Sequence, residues 1–417
     1  MWYIAIFFLL GVCAKDFTGH RLISITARTN ADLEFLNSLS DSGAFEELDF
    51  WTELSLHHPV EIRVSPNDFE KLQQSLYDVG LTYIILNHNI QDTIDDEKIA
   101  MAKVPKNANG CDVTGTYCTF AEISAWLDEK DADPRVQVSV TATSSFEGRP
   151  IFIVKVAADM NNPKEAVWIE AGTHAREWIA VSSALNLIER LSDTQDTFAN
   201  EMLSNFDFYI VPVHNPDGYV YSHTSNRLWR KNRQTCTGIG SGVGTDLNRN
   251  WGAGFGGAGT SAFCSSHTYR GSAAFSAPET AALRDAAFGA DSPYIRAFFS
   301  VHCYSEFMLV PYGYTSTKPA RYTHLVEVAD AMMAYLETVD NRYYLVGTPP
   351  DILYAASGGA YDYFYIEGVP YAYTYELRPQ SGTSNGFVIS PSNIPTAAEE
   401  LFISLWAFAT YDNLNYD

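Results

Sequence analysis

Residues 166–178 read Ala166-Val167-Trp168-Ile169-Glu170-Ala171-Gly172-Thr173-His174-Ala175-Arg176-Glu177-Trp178. The run up to Ala171 is short and mostly apolar, bounded by a glycine, and reads as a strand covered on both faces. A helical pattern follows over 177–191. Segments 151–157, 206–213, 297–301 and 371–375 are further short apolar runs, and 277–287 is another helical stretch. Strands alternating with helices define an α/β domain, and we expect a mixed, mainly parallel sheet with helices on both faces. Ligands of such sheets bind beyond the carboxyl ends of strands. His174 and Glu177 follow one such end, His302 follows the run 297–301, and Glu376 follows 371–375.

Upstream the rhythm changes. Segments 21–26, 48–51, 60–64 and 81–86 read as strands, and 30–39 and 66–79 as helices, the second opened by Ser65-Pro66-Asn67-Asp68 with Phe69, Leu72, Leu76 and Val79 at helical spacing. The order βαββαβ implies a small α/β sandwich with an antiparallel sheet. Residues 89–110 form a polar connector, with Asp92, Asp95, Asp96 and Glu97 ahead of Lys98, Lys103 and Lys106. A helix followed by an exposed loop fits it, and such loops are where proteases cut. Residues 1–14 end their apolar run with Val12 and Ala14 in the usual cleavage positions, so a secretory signal peptide is expected, although its positive flank is missing. The division is therefore 1–14 signal, 15–88 small domain, 89–110 connector and 111–417 main domain.

Composition narrows the function. The 417 residues are 46% hydrophobic and 18% charged, an ordinary globular balance, and the net charge is −23. That charge speaks against nucleic acid as a partner, since phosphate contacts need clustered Lys and Arg. No membrane span is expected. Of six cysteines, Cys13 would leave with the signal, so Cys111, Cys118, Cys236, Cys264 and Cys303 remain; the odd number leaves at least one unpaired or bridged between chains, and Cys303 reads as a buried free thiol.

His174-X-X-Glu177 with a remote His302 is the pattern of a catalytic zinc, with two close ligands, one distant ligand and a fourth position left to water. Neutral imidazole and ionised carboxylate suit Zn²⁺. Alone the HxxE spacing is common by chance. Its surroundings are not. Thr173-His174-Ala175-Arg176-Glu177-Trp178 resembles the zinc motif of the pancreatic-type metallocarboxypeptidases, of the procarboxypeptidase A/B subfamily. The resemblance continues in order through Asn215-Pro216-Asp217-Gly218, Asn226-Arg227-Leu228-Trp229-Arg230-Lys231, Asp246-Leu247-Asn248-Arg249-Asn250-Trp251, Ser300-Val301-His302-Cys303-Tyr304-Ser305, Tyr354-Ala355-Ala356-Ser357-Gly358-Gly359 and Tyr375-Glu376-Leu377-Arg378. It covers nearly all of residues 112–410, and the N-terminal unit is similar to the family's activation segment.

The resemblance implies a secreted zinc carboxypeptidase zymogen that removes single residues from peptide C-termini. It implies one Zn²⁺ per chain on His174, Glu177 and His302, with Asp246 orienting His174. Glu376 would take a proton from the attacking water and pass it to the leaving amine, and Arg230 would stabilise the oxyanion. Arg249 would grip the substrate's free carboxylate in a bidentate fork, helped by Asn248. Tyr354 would cap the bound substrate, and Tyr304 and Arg176 would contact it, Arg176 further from the cleaved bond. Cys236 and Cys264 match a family disulfide; Cys111 and Cys118 match none, and a local bridge is one reading of them. The side-chain pocket follows Ser357-Gly358-Gly359, with Tyr361 at the position where an acidic residue accompanies a taste for Lys and Arg; Gly313, Ala356 and Thr374 add no charge, and Asp362 is acidic in relatives of both preferences. An A-type preference for aromatic or aliphatic ends follows, with the bulk of Tyr361 favouring Leu, Ile or Met over Trp. The implied partners are peptide and protein C-termini and a trypsin-like activating protease cutting after Lys103 or Lys106, with a monomer as the working unit. Two rival readings are a catalytically silent binding protein on this fold, which loss of Glu376 or a ligand would signal, and a membrane-anchored enzyme, which the polar residues 412–417 do not favour.

Overall fold

A computed structural model describes residues 14–41, 45, 47–56, 58–105, 110–412 and 414. The expected signal segment, save Ala14, and Lys106 lie outside the described residues.

Near the N-terminus, β1 (Arg21–Ile25), β2 (Leu48–Phe50), β3 (Val60–Val64) and β4 (Tyr83–Asn87) form an antiparallel sheet in the order β2-β3-β1-β4. The helices Asn30–Asp41 and Pro66–Asp78 complete the expected βαββαβ order. Ser65 caps the second helix, its hydroxyl accepting from the Asp68 backbone N–H at 3.1 Å. Alternation on β3 explains how the unit is used. Val60, Ile62 and Val64 join Leu36, Leu72 and Leu76 in one core. Glu61 and Arg63 point the other way and are buried too, Glu61 against Tyr304 of the main domain and Arg63 against Asp49 and His20.

The main sheet comprises β5 (Val136–Val140), β6 (Phe152–Val156), β7 (Ala166–Ala171), β8 (Asp207–Val211), β9 (Ile295–Ser305), β10 (Phe307–Leu309), β11 (Leu345–Gly347) and β12 (Tyr371–Gln380). Their order is β11-β10-β12-β9-β7-β8-β6-β5. The pairs β12/β9, β9/β7, β7/β8 and β10/β11 are parallel, and β10/β12, β6/β8 and β5/β6 are antiparallel. Both faces are covered. Val167 and Ile169 of β7 pack into the core that holds the helices Trp178–Ser192 and Ile394–Ala409, whereas Ala166 and Trp168 pack with Pro278–Phe288 and Ala360–Ile366.

One expectation needs correction. His302 and Glu376 do not follow strand ends; they lie inside β9 and β12, which run on to Ser305 and Gln380. The reason is that β9 and β12 stay paired through the site, His302 with Glu376 and Ser305 with Gln380, while β10 folds back antiparallel on the other edge of β12 with Phe307 opposite Glu376. His174 does follow the end of β7, across a turn that needs Gly172: at φ +67° a Cβ there would lie 2.9 Å from Val181 Cγ2 and 3.2 Å from the Pro212 carbonyl oxygen.

A zinc centre at the end of the parallel strands

The parallel register places Glu376 opposite His302 and Ala171 beside Val301, so the segment leaving β7 arrives next to His302. Glu177 sits at the head of the helix Trp178–Ser192. His174 Nδ1 lies 2.7 Å from Glu177 Oε1, His302 Nδ1 lies 3.0 Å from Glu177 Oε2, and the two Nδ1 atoms are 3.1 Å apart. All three residues are buried. Two imidazole nitrogens and a carboxylate turned toward one point form a donor set for a cation, since the nitrogens cannot both satisfy each other's lone pairs. This convergence fits one Zn²⁺ bound through both Nδ1 atoms.

The opposite ring nitrogens are held from behind. His174 Nε2 lies 3.1 Å from Asp246 Oδ1, as expected, and the other oxygen of Asp246 accepts from Arg230 Nε and Nη2 at 3.1 and 2.9 Å. His302 Nε2 lies 2.8 Å from Ser300 Oγ, which is 3.4 Å from Glu170 Oε2. Glu170 also binds Thr173 and His214, the latter at 2.8 Å. Sequence reading found Asp246 but missed Ser300, Glu170 and His214. Ser300 was in reach of it, because it is two residues before His302 and so shares a strand face with it.

Glu376, Arg230, Asn248, Arg249, Tyr304 and Tyr354 line one cavity of about 320 Å³ together with His174 and Glu177. Burial raises the Glu376 carboxyl above the ordinary range, and Glu177 adds to this against the pull of His302 and Arg230. Asn248 Oδ1 accepts from the Ala360 N–H at 3.0 Å, tying the Arg249 segment to the helix that carries Tyr361. Gly358 is required between them: at φ +76° a Cβ would stand 2.3 Å from the Arg249 carbonyl oxygen. Tyr361 is buried, its hydroxyl directed at Gly313 and without a partner among the described residues. Asp362 is buried too, but its carboxylate accepts the Gly313 and Tyr314 N–H groups at 2.9–3.1 Å. Burial pushes its pKa up to about 7. Cys236–Cys264 and Cys111–Cys118 are both disulfides, and Cys303 is free and buried.

Three carboxylates from the N-terminal unit enter this site, none of which sequence reading singled out. Asp49 binds Arg176 Nη1 through both oxygens, at 3.0 and 2.9 Å. Glu53 binds Arg249 Nη2. Glu61 accepts from the Tyr304 hydroxyl. On the connecting helix Ile90–Ala102, Glu97 forks onto Arg227 at 2.6 and 2.9 Å.

Such a fold and metal centre define a zinc peptidase whose own N-terminal unit covers the site. The comparisons agree. Residues 123–404 match the zinc carboxypeptidase family and residues 23–97 match the carboxypeptidase activation peptide. The chain belongs to the zinc carboxypeptidase family. It is 34% identical to carboxypeptidase A1 of Sus scrofa over 414 residues, 97% of each chain. Against carboxypeptidase A2 of Mus musculus it is 33% identical over 94% of each. The crystal structure of the carboxypeptidase A from Helicoverpa armigera superposes with a TM-score of 0.84 at 27% identity, covering 95% of this chain and 99% of that one. The protein is thus a zinc-dependent carboxypeptidase with an activation peptide, holding its metal on His174, Glu177 and His302. Among the described residues no helix is long and apolar enough to cross a membrane.

Proposed function

We propose that the enzyme hydrolyses the last peptide bond of substrates with apolar C-terminal residues, and that the cavity residues divide the work as follows. Arg249, supported by Asn248, binds the terminal carboxylate. Glu376 moves the proton from the attacking water to the leaving amine, a task its raised pKa suits. Arg230, fixed by Asp246, donates to the oxygen that gains charge. The zinc, when bound, supplies Lewis-acid polarisation at the reacting carbonyl. Tyr354, which is 39% exposed, folds over the substrate, while Tyr304 and Arg176 hold the chain upstream. The carrying observation is that Glu376, Arg230 and Arg249 share one cavity with two of the metal ligands.

The preference rests on Tyr361. Its ring and hydroxyl bring no charge, and a buried guanidinium or ammonium without a counter-charge is costly. Asp362 does not supply one, since backbone N–H groups already occupy it. Blocked dipeptides that differ only in their C-terminal residue test the reading on protease-trimmed protein. Leu, Ile, Met and Phe should give the higher kcat/KM; faster turnover of Arg or Lys overturns it.

The rest of the proposal concerns the life of the chain. The signal-like N-terminus and two disulfides support secretion. Domain limits stay at 15–88, 89–110 and 111–417, and the mature enzyme acts as a monomer. Cleavage by a trypsin-like protease after Lys103, at the end of the connecting helix, or after Lys106 releases the activation unit. Until then Glu53 occupies Arg249 as a stand-in for the substrate's carboxylate.

A further inference from the structure

Arg176 is fully buried, with its guanidinium 4.0 Å over the Phe387 ring. Nη1 is committed to Asp49, while Nε and Nη2 have no hydrogen-bond partner among the described residues. A second donor meets the same carboxylate: His267 Nδ1, from the segment after Cys264, lies 3.4 Å from Asp49 Oδ1. Within the activation unit Asp49 is also bonded by Trp51 Nε1 at 3.0 Å and Arg63 Nε at 3.3 Å.

Activation removes Asp49, Trp51 and Arg63 together. The enzyme keeps a guanidinium and an imidazole aimed at the vacated position, and among the described residues no carboxylate of the main domain forms an ion pair with Arg176. Phe387 offers it only a ring face. A partly desolvated guanidinium with free donors calls for an anion, and a forked carboxylate fits it best.

Building on the carboxypeptidase reading with Arg249 as the carboxylate grip, we infer that Arg176 and His267 form a carboxylate subsite that selects peptides with Asp or Glu upstream of the cleaved residue. In the uncut chain Asp49 fills this subsite as Glu53 fills the grip. The two prodomain residues are four positions apart, so at most about 14 Å of chain joins them. A substrate held at Arg249 can therefore reach Arg176 with a side chain within about four residues of its end. His267 lines the same cavity as Arg230, Arg249 and Glu376, so one bound peptide can meet them all. The main domain, residues 111–417, carries 34 acidic and 19 basic residues, a net charge of −15 that opposes acidic peptides at long range, and ~0.15 M salt screens that field while leaving close pairs intact.

The test uses trimmed enzyme and blocked five-residue peptides ending in Leu, with a single Glu or Gln second, third or fourth from the end. At one position the Glu peptide should exceed its Gln twin in kcat/KM by about tenfold, the scale of a charge-assisted fork. Arg176→Gln should bring that ratio to about one while the preference for C-terminal Leu over Lys persists, and His267→Gln should lower it partway. Ratios near one at all three positions overturn the inference, as does a ratio that survives in Arg176→Gln. If trimmed wild-type enzyme cleaves none of the peptides, the carboxypeptidase reading beneath it fails instead.

Discussion

Asp49→Asn is the sharpest probe of how the activation unit is held. Asp49 is completely buried and bears on Arg176 with both oxygens, while Glu53, which pairs with Arg249, has a side chain 38% exposed. Replacing Asp49 by Asn leaves Arg176 buried against a neutral amide when docked but hydrated when the unit departs. Breaking one side of a buried pair costs about 3–5 kcal/mol, so docking should weaken by at least about 150-fold. Glu53→Gln breaks a partly exposed pair worth about 0.5–1 kcal/mol, or two- to fivefold. The assay is dilution of the nicked complex, in which the cut unit remains bound until the protein concentration falls below its Kd; recovered hydrolysis reports release. The uncut variants give the converse ranking: Glu53→Gln frees Arg249 and should raise activity on blocked dipeptides more than Asp49→Asn does. Equal loosening by the two variants would refute the argument that burial sets the strength of these pairs. Melting curves of both variants establish that the unit itself stays folded.

Four further outcomes are expected. Purified protein should contain about one zinc per chain, a phenanthroline-type chelator should abolish hydrolysis, and His302→Ala should lose metal and activity together; full activity in metal-free protein would contradict the site. Glu376→Gln should retain the zinc and lower kcat by about 10²–10⁴-fold, with a smaller effect on KM, whereas a mainly KM effect would remove it from proton transfer. Tyr361→Asp should raise kcat/KM for C-terminal Arg and Lys relative to Leu, and an unchanged order would dismiss Tyr361 as the determinant. Burial acts to raise the Asp49 carboxyl, but Arg176, His267 and Arg63 hold it well below the usual range. A depressed value in the docked state means that this contact is complete above the free value near about 4 and is lost as pH falls below it. The extra tightness that Asp49 gives over Asp49→Asn should therefore be the same at pH 5 as at pH 7.5 and shrink below about pH 4, and loss of that difference within the window would contradict the sign.

The zinc ligands were legible because they ride on local pattern: His174 and Glu177 are three residues apart at a strand-to-helix turn, and His302 and Glu376 sit in strongly apolar strands. The βαββαβ order of the activation unit was legible for the same reason, since alternation and helical spacing are short-range properties. The strand ends near His302 and Glu376 are not legible in the same way, because β9 and β12 extend each other through pairing between segments more than seventy positions apart. Asp246 is assigned through its motif and Ser300 could have been reached from its place two residues before His302, whereas Glu170 gains meaning only when β7 and β9 lie side by side. The strongest divide concerns the lock. Nothing in the chemistry of Asp49, Glu53 or Glu61 distinguishes them from the other forty-seven acidic residues of the fifty. They are given their role by β2, β3 and the turn between them, pressed against Arg176, Arg249 and Tyr304, each more than one hundred residues away. The sequence determined what chemistry the chain can perform through its ordered run of motifs, whose resemblance to a known family assigns the ligands and catalytic groups that spacing alone leaves open. Only the tertiary structure decided which surface charges are buried together, because desolvation and pairing depend on neighbours in space and not along the chain.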